Sequence, residues 1–319
     1  MLIPYRHRKS YNFVQSMNFL PFRRYEFWMF LPFSLRKWLF HQHSSRNYCN
    51  ICGAQPKFWF TRGRQHPIIE KLNIIGAGYR QVDCPVCGSS DRDRLVFQYI
   101  QQQIQQWKLD WAMNDGAQSA IRILHIAPEI GLQHAIHTLF QQHFAGIQVE
   151  YVLADKFTKG YYYRKRGMVY LDLDKPFALV ERESIGHSAD NGNYASPEKK
   201  FHLILANHVL EHVQDLAYSI NQLQNQMTVN AQFLVTLPIA ENLNRSIEIK
   251  TLAPNFNALP AKKQHQLAIH HLGQWDHLRL LGRDFQLHFP HWQTYSQTNP
   301  SLQLNPKEKV LIFSNKNNQ

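Results

Sequence analysis

The chain has 319 residues, enough for one large domain beside a small one. Hydrophobic residues at 44% against charged residues at 18% exclude a disordered chain, and no apolar run reaches the ~18 residues of a membrane-spanning helix. The formal charge of +12 is lopsided, with 16 Lys/Arg against 6 Asp/Glu in residues 1–110 and 19 against 17 in the remainder. A basic front of this kind suits nucleic-acid phosphates, an anionic lipid surface or an acidic partner, and equally a plain soluble face.

Residues 1–45 interleave aromatics with Arg and Lys, from Phe19 and Phe22 through Phe27, Trp28, Phe30 and Trp38 to Phe40. Two readings stand: an interfacial segment giving peripheral contact with a membrane, or an arm packed on the following module with its cations snorkelling outward. The N-terminus lacks the charged start, apolar run and small-residue cleavage site of a secretory signal, so a cytoplasmic location is expected, with the inner membrane face as the place for any peripheral contact.

Residues 46–95 hold all four cysteines as two C-x2-C pairs, Cys49/Cys52 and Cys84/Cys87, each followed by glycine. Two residues between thiolates let both sulfurs turn onto one ion, and the glycine allows the tight backbone that aims amides at them. Two pairs close a tetrahedral four-thiolate zinc site with no open position, hence a structural one; a redox dithiol is the competing reading. Gly76-Ala77-Gly78 does not complete a dinucleotide loop and is expected to be a hairpin turn of the ribbon.

A helix is expected over 95–111, in the region 96–120, and a linker over 112–120. The domain from 121 to 315 then alternates: strand 121–127, helix 131–144, strands 149–155 and 168–171, strand 201–206, helix 214–227, strand 232–237, and a final strand pair at 284–289 and 309–314. Residues 183–199 are polar and irregular, a surface insertion. The pattern is that of an α/β fold with a mostly parallel sheet wrapped by crossover helices.

In such a sheet, ligands bind beyond the carboxyl ends of the strands. The first turn runs His125-Ile126-Ala127-Pro128-Glu129-Ile130-Gly131, where Ala127 and Gly131 are small enough for a ligand to approach. Asp155 ends the next strand, placed to accept from ribose hydroxyls, and Asp172 follows the third, near an adenine amino group.

The run 201–215, with Asn207-His208-Val209-Leu210-Glu211-His212, resembles the fourth-strand motif of class I S-adenosylmethionine-dependent methyltransferases of type 11. The run 232–238, closing on Pro238, resembles their fifth strand, and 276–285 a segment ahead of their sixth. The resemblance covers about 120–315 and, through relatives with a four-cysteine ribbon, most of the chain. It implies a Rossmann-like seven-stranded sheet with the last strand antiparallel, S-adenosylmethionine as cofactor, and a methyl acceptor such as a sugar hydroxyl or other small molecule. The first motif departs from the family: His125 stands where an acid is usual, and Ala127 and Pro128 where Gly and Cys are typical. Relatives with the ribbon imply Glu129 as the stand-in.

Asn207 and His208 are expected to border the transferred methyl, with His208 either the base that takes a hydroxyl proton or a contact to adenine. His208-x-x-Glu211-His212 also matches an inverted zinc-peptidase signature, which requires the histidines on one helical face. Residues 240–283, with Arg245, His265, His270, His271 and Trp275, are expected to cover the acceptor pocket, or to lie as polar surface. RNA as acceptor and a non-catalytic binding protein remain the two alternatives.

Overall fold

A computed structural model describes residues 31–41, 46–62, 67–77, 81–114, 120–157, 167–180 and 200–315. The expected insertion at 183–199, most of the N-terminal arm, Gly78 and residues 115–119 of the expected linker lie outside them.

Helix α1 (Phe33–Phe40) precedes the cysteine module, which holds β1 (Phe60–Arg62), α2 (Pro67–Leu72), β2 (Ile74–Ile75) and β3 (Gln81–Asp83). The long α3 (Asp91–Asn114) leads to β4 (Ala120–Ile126), α4 (Ile130–His143), β5 (Gln148–Asp155), β6 (Val169–Tyr170), β7 (Phe201–Asn207), α5 (Leu216–Gln224) and β8 (Met227–Thr236). There follow β9 (Ile239–Ala240), β10 (Ile247–Glu248), α6 (Ile249–Leu252), α7 (Ala261–Leu272), β11 (Arg279–Leu280), α8 (Phe285–His288), β12 (Gln293–Tyr295) and β13 (Val310–Ser314).

Seven strands form one sheet in the order β12-β13-β8-β7-β4-β5-β6. The pairs β4–β5, β4–β7, β5–β6 and β7–β8 are parallel, whereas β13 runs antiparallel to both its neighbours. This is the expected methyltransferase-type sheet. From β4 the chain goes outward to β5 and β6, then returns to β7 on the other side. That reversal opens a crevice at the carboxyl ends of β4 and β7.

Alternation along the strands fills two cores. Ile121 and Ile123 of β4 face α3 and α4, joining Trp107, Trp111, Ile136 and Phe140, while Leu124 and Ile126 face Ile220 and Leu223 of α5. Trp111 stacks on Trp107 at 5.4 Å and on Phe144 at 5.7 Å, which locks α3 against α4.

Several expected boundaries move. The helix read over 95–111 begins at Asp91 and continues to Asn114, so its first turn and part of the supposed linker are helical. The helix read over 214–227 shortens to α5, preceded by one 3-10 turn at Leu210–His212 and capped by Asp215, whose carboxylate accepts from the Tyr218 amide. The strand expected over 284–289 is instead α8. In a strand Leu287 would share a face with Phe285 and Phe289, yet it is 80% exposed while those two are 5% and 3% exposed. An i, i+4 spacing puts both phenylalanines on one helical face, and the edge strand is β12.

Within the module, β1 and β3 form the antiparallel ribbon. Strand β2 does not: it pairs with β9, so the segment that carries it, between β1 and β3, leaves the ribbon for the main domain. A satellite core of Ile69, Ile74, Ala240, Ile249, Leu272 and Leu280 seals that joint. Of the N-terminal arm, α1 is described: Phe40 packs edge-on against Phe58 and Phe60, while Trp38 is exposed. No helix among the described residues is long and apolar enough to cross a membrane.

Candidate functional site

Cys49, Cys52, Cys84 and Cys87 converge, all four sulfurs lying within 4.8 Å of one another. Cys49 Sγ is 3.7 Å from Cys87 Sγ, and Cys52 Sγ is 3.8 Å from Cys84 Sγ. A tetrahedron with ~2.3 Å zinc–sulfur bonds has edges of about 3.8 Å, so the spacing fits that ion. Gly53 and Gly88 turn with φ of 70° and 77°, as the spacing requires, but their amides close onto the Cys49 and Cys84 carbonyls. Beside the cluster, fully buried Arg94 donates to the carbonyls of Leu302 (2.8 Å), Ser89 (2.7 Å) and Val82 (3.0 Å), with its guanidinium over Trp59. One side chain thus ties the knuckle, the ribbon and the C-terminal segment together.

The expected cofactor residues gather at the carboxyl ends of the central strands. His125 is fully buried and hydrogen-bonded at both ring nitrogens, Nε2 to Glu129 at 3.2 Å and Nδ1 with the Tyr151 hydroxyl at 2.9 Å. Asn207 reaches the same Glu129 oxygen at 3.4 Å and accepts from Thr236. Burial pushes the Glu129 carboxyl up, but the bond and charge of His125, then the charge of Arg92, outweigh it and hold it below its ordinary value. Asp155 is nearly buried, with Oδ1 accepting from the Phe157 amide at 2.8 Å. Asp172 pairs with Lys156 at 2.9 Å and accepts from the Asp174 amide.

Two departures concern the first turn. Ala127 sits in the left-handed region at φ 49°, the conformation glycine would adopt freely. Gly131 faces the knuckle rather than open space: a Cβ there would lie 3.6 Å from Ile51 and 3.7 Å from the Cys87 carbonyl. The cysteine module therefore rests on the start of α4.

At the end of the neighbouring strand, His208 is also left-handed, at φ 50°. Strained residues thus close both central strands where they border the crevice, a location where strain accompanies function. His208 Nδ1 lies 3.3 Å from Glu211 Oε1. The peptidase geometry is absent, because Leu210–His212 is a single 3-10 turn and no α-helical face carries His208 and His212 together. Gly76, at φ 74°, covers this corner: a Cβ there would come within 3.1 Å of both His208 Nε2 and Glu308 Oε2. It terminates β2, not the ribbon hairpin expected.

Sequence reasoning missed Arg92, Asp93, Glu308 and His277. Arg92 reaches Glu129 at 3.6 Å and Asp93 at 3.7 Å from the first turn of α3. Burial, aided by the Glu129 charge, pushes Asp93 up to about 6, and burial with Asp91 pushes Glu308 up to about 8. The available signal was Asp91-Arg92-Asp93-Arg94 directly after the second knuckle, four consecutive charged residues that are all buried. In the 240–283 stretch, His265 packs on Trp275 and His270 on His271, and Arg245 backbone lies against Gly282. The residues of that stretch meeting the His208 corner are Asp276 and His277 instead.

No protein-family profile matches the chain, and no match among curated proteins was found. Solved structures similar to it include the CurJ carbon methyltransferase, with 15% identity, TM-score 0.34 and coverage of 62% of this chain and 49% of that one. The DszA carbon methyltransferase gives 12%, 0.35, and 70% and 52%. The plantazolicin methyltransferase BpumL in complex with SAH gives 11%, 0.32, and 70% and 88%. The chain spans about half the length of the first two. The order and directions of the seven strands by themselves define the fold.

Proposed function

We propose that the chain is an S-adenosylmethionine-dependent methyltransferase acting on a hydroxyl of a sugar or other small molecule, with a structural zinc ion on its four cysteines. One observation carries the reading: the β6-β5-β4-β7-β8 order sets Glu129, Asp155, Asp172 and Asn207 around a crevice flanked by two left-handed residues, Ala127 and His208. Bound S-adenosylmethionine supplies an electrophilic methyl group. The protein's part is then to hold two reactants in line.

On this reading Asp155 accepts from the ribose hydroxyls and Asp172 faces the adenine end. His125, Ala127, Glu129 and Gly131 form the first turn, with Asn207 beside the methyl. His208 is the base: its Nδ1 lies 3.3 Å from the Glu211 carboxylate, leaving Nε2 to take the acceptor's proton. The first-turn carboxylate is kept anionic by His125 and Arg92, which suits a cationic ligand group.

An RNA acceptor draws on the basic front, but Arg92 and Arg94 are internal and add nothing to its surface. The test is calorimetric titration of the full chain with S-adenosylmethionine, followed by methyl-transfer assays on sugar hydroxyls and on RNA at two salt concentrations. No cofactor binding rejects the enzyme; salt-sensitive methylation of RNA alone rejects the small-molecule acceptor.

A further inference from the structure

We infer that Glu211, His212 and His277 form a second metal site, distinct from the four cysteines, that takes a divalent first-row transition ion such as zinc. The three residues come from two segments, the 3-10 turn after β7 and the stretch before β11. The Leu278 amide, donating to the Glu211 carbonyl at 2.9 Å, staples those segments together. Arg279, buried beneath, donates to the carbonyls of Leu210 and Val213 at 2.6 and 2.7 Å and fixes the same turn.

One carboxylate oxygen and one ring nitrogen from each histidine lie within 4.8 Å of one another. Three atoms so spaced share a point at most about 2.8 Å from each, against ~2.0–2.2 Å in zinc sites, so sub-ångström side-chain shifts complete the coordination. His277 Nε2 and His212 Nε2 stand 3.8 and 3.9 Å from Glu211 Oε1.

The polar accounting points to a cation. Glu211 is 1% exposed and neither carboxylate oxygen has a hydrogen-bond partner; His277 is 4% exposed and neither ring nitrogen has one. Buried polar groups left in that state are costly, and a bound ion gives one atom of each of the three residues a partner at once. His212 carries the usual outer contact of a metal ligand: Nδ1–H donates to the Asp276 carbonyl at 2.9 Å, which turns the Nε2 lone pair toward Glu211. Two lone pairs facing each other across 3.9 Å attract only with a positive centre between them. Two imidazoles and one carboxylate suit zinc or iron(II) better than magnesium or calcium, and three protein ligands leave a position for water or substrate.

His208 adjoins this site through the same Glu211 oxygen. On the methyl-transfer reading the ion would lower the pKa of an acceptor hydroxyl beside the base. The binding itself does not rest on that reading, and its assay uses neither cofactor nor acceptor.

The experiment is metal analysis of the full chain after zinc loading and dialysis, with cobalt(II) spectra as a second readout. Wild type should hold one equivalent beyond the four-thiolate site, and its cobalt form should add d–d bands without new thiolate charge transfer. His212→Ala and His277→Ala should each lose that equivalent and keep the thiolate spectrum; His212 is partly exposed, so its truncation disturbs the core least. A single equivalent in wild type, or a second one surviving both substitutions, overturns the inference. Because wild type decides the first outcome, a variant that fails to fold does not shelter it. Cofactor binding without a second equivalent sinks this site and spares the methyltransferase; the reverse result does the opposite.

Discussion

Asp155→Asn separates cofactor recognition from loop structure. In the folded chain Asp155 Oδ1 accepts from the Phe157 amide at 2.8 Å, and an asparagine carbonyl can occupy the same place at nearly the same volume. The turn after β5 therefore survives, while the charge and the second acceptor oxygen are lost. A hydrogen bond to a charged group contributes about 1.5–3 kcal/mol, so losing one such bond to a ribose hydroxyl corresponds to roughly 10- to 150-fold weaker binding. Asp155→Ala should lose that and also leave the Phe157 amide without its acceptor, adding about 1 kcal/mol of destabilisation. Calorimetric titration with S-adenosylmethionine reads the first effect and urea unfolding the second. Equal affinity in wild type and Asp155→Asn would refute the assignment of Asp155 to the cofactor.

Three further outcomes follow from the packing and the charges. Arg94→Met should cost at least about 3 kcal/mol in urea unfolding, because three carbonyls that the buried guanidinium serves at 3.0 Å or less lose their donor; a change below 1 kcal/mol would show those contacts to be incidental. Ala127→Gly should raise the unfolding free energy by up to about 1 kcal/mol, left-handed strain of ~1–2 kcal/mol being partly offset by the entropy of glycine, and a loss of stability would mean the turn is not strained. Glu308 sets a pH dependence: its folded carboxyl is raised from 4.5 to about 8, so between those values the native state holds more protons and its stability falls as pH rises. Glu308→Gln should remove that slope and be more favourable relative to wild type at pH 8.5 than at pH 5; parallel profiles would refute it.

How much could be read from sequence depended on the range of the interaction. Local spacing identified both cysteine pairs, and apolar alternation located β4, β5 and β7 to within a residue or two, because side-chain period is a backbone property. The same alternation misread 284–289, where Phe-Gln-Leu-His-Phe satisfies a strand pattern and an i, i+4 helical pattern alike; packing chose the helix by burying both phenylalanines. Charge was the poorest guide. Asp91 to Arg94 form a run of charges, yet all are buried: Arg92 reaches Glu129, 37 positions on, and Arg94 donates to the carbonyl of Leu302, 208 positions on.

What the sequence by itself determined was therefore the set of modules: a four-thiolate knuckle pair whose ligand spacing is local, and a parallel sheet with acids at successive strand ends. Only the tertiary structure decided what those modules do to each other. It laid the knuckle on Gly131, brought Arg92 to Glu129, Gly76 and Glu308 to His208, and His277 to Glu211. Those encounters depend on which faces remain to be buried once the sheet has formed, a property of the packed whole that residue spacing does not encode.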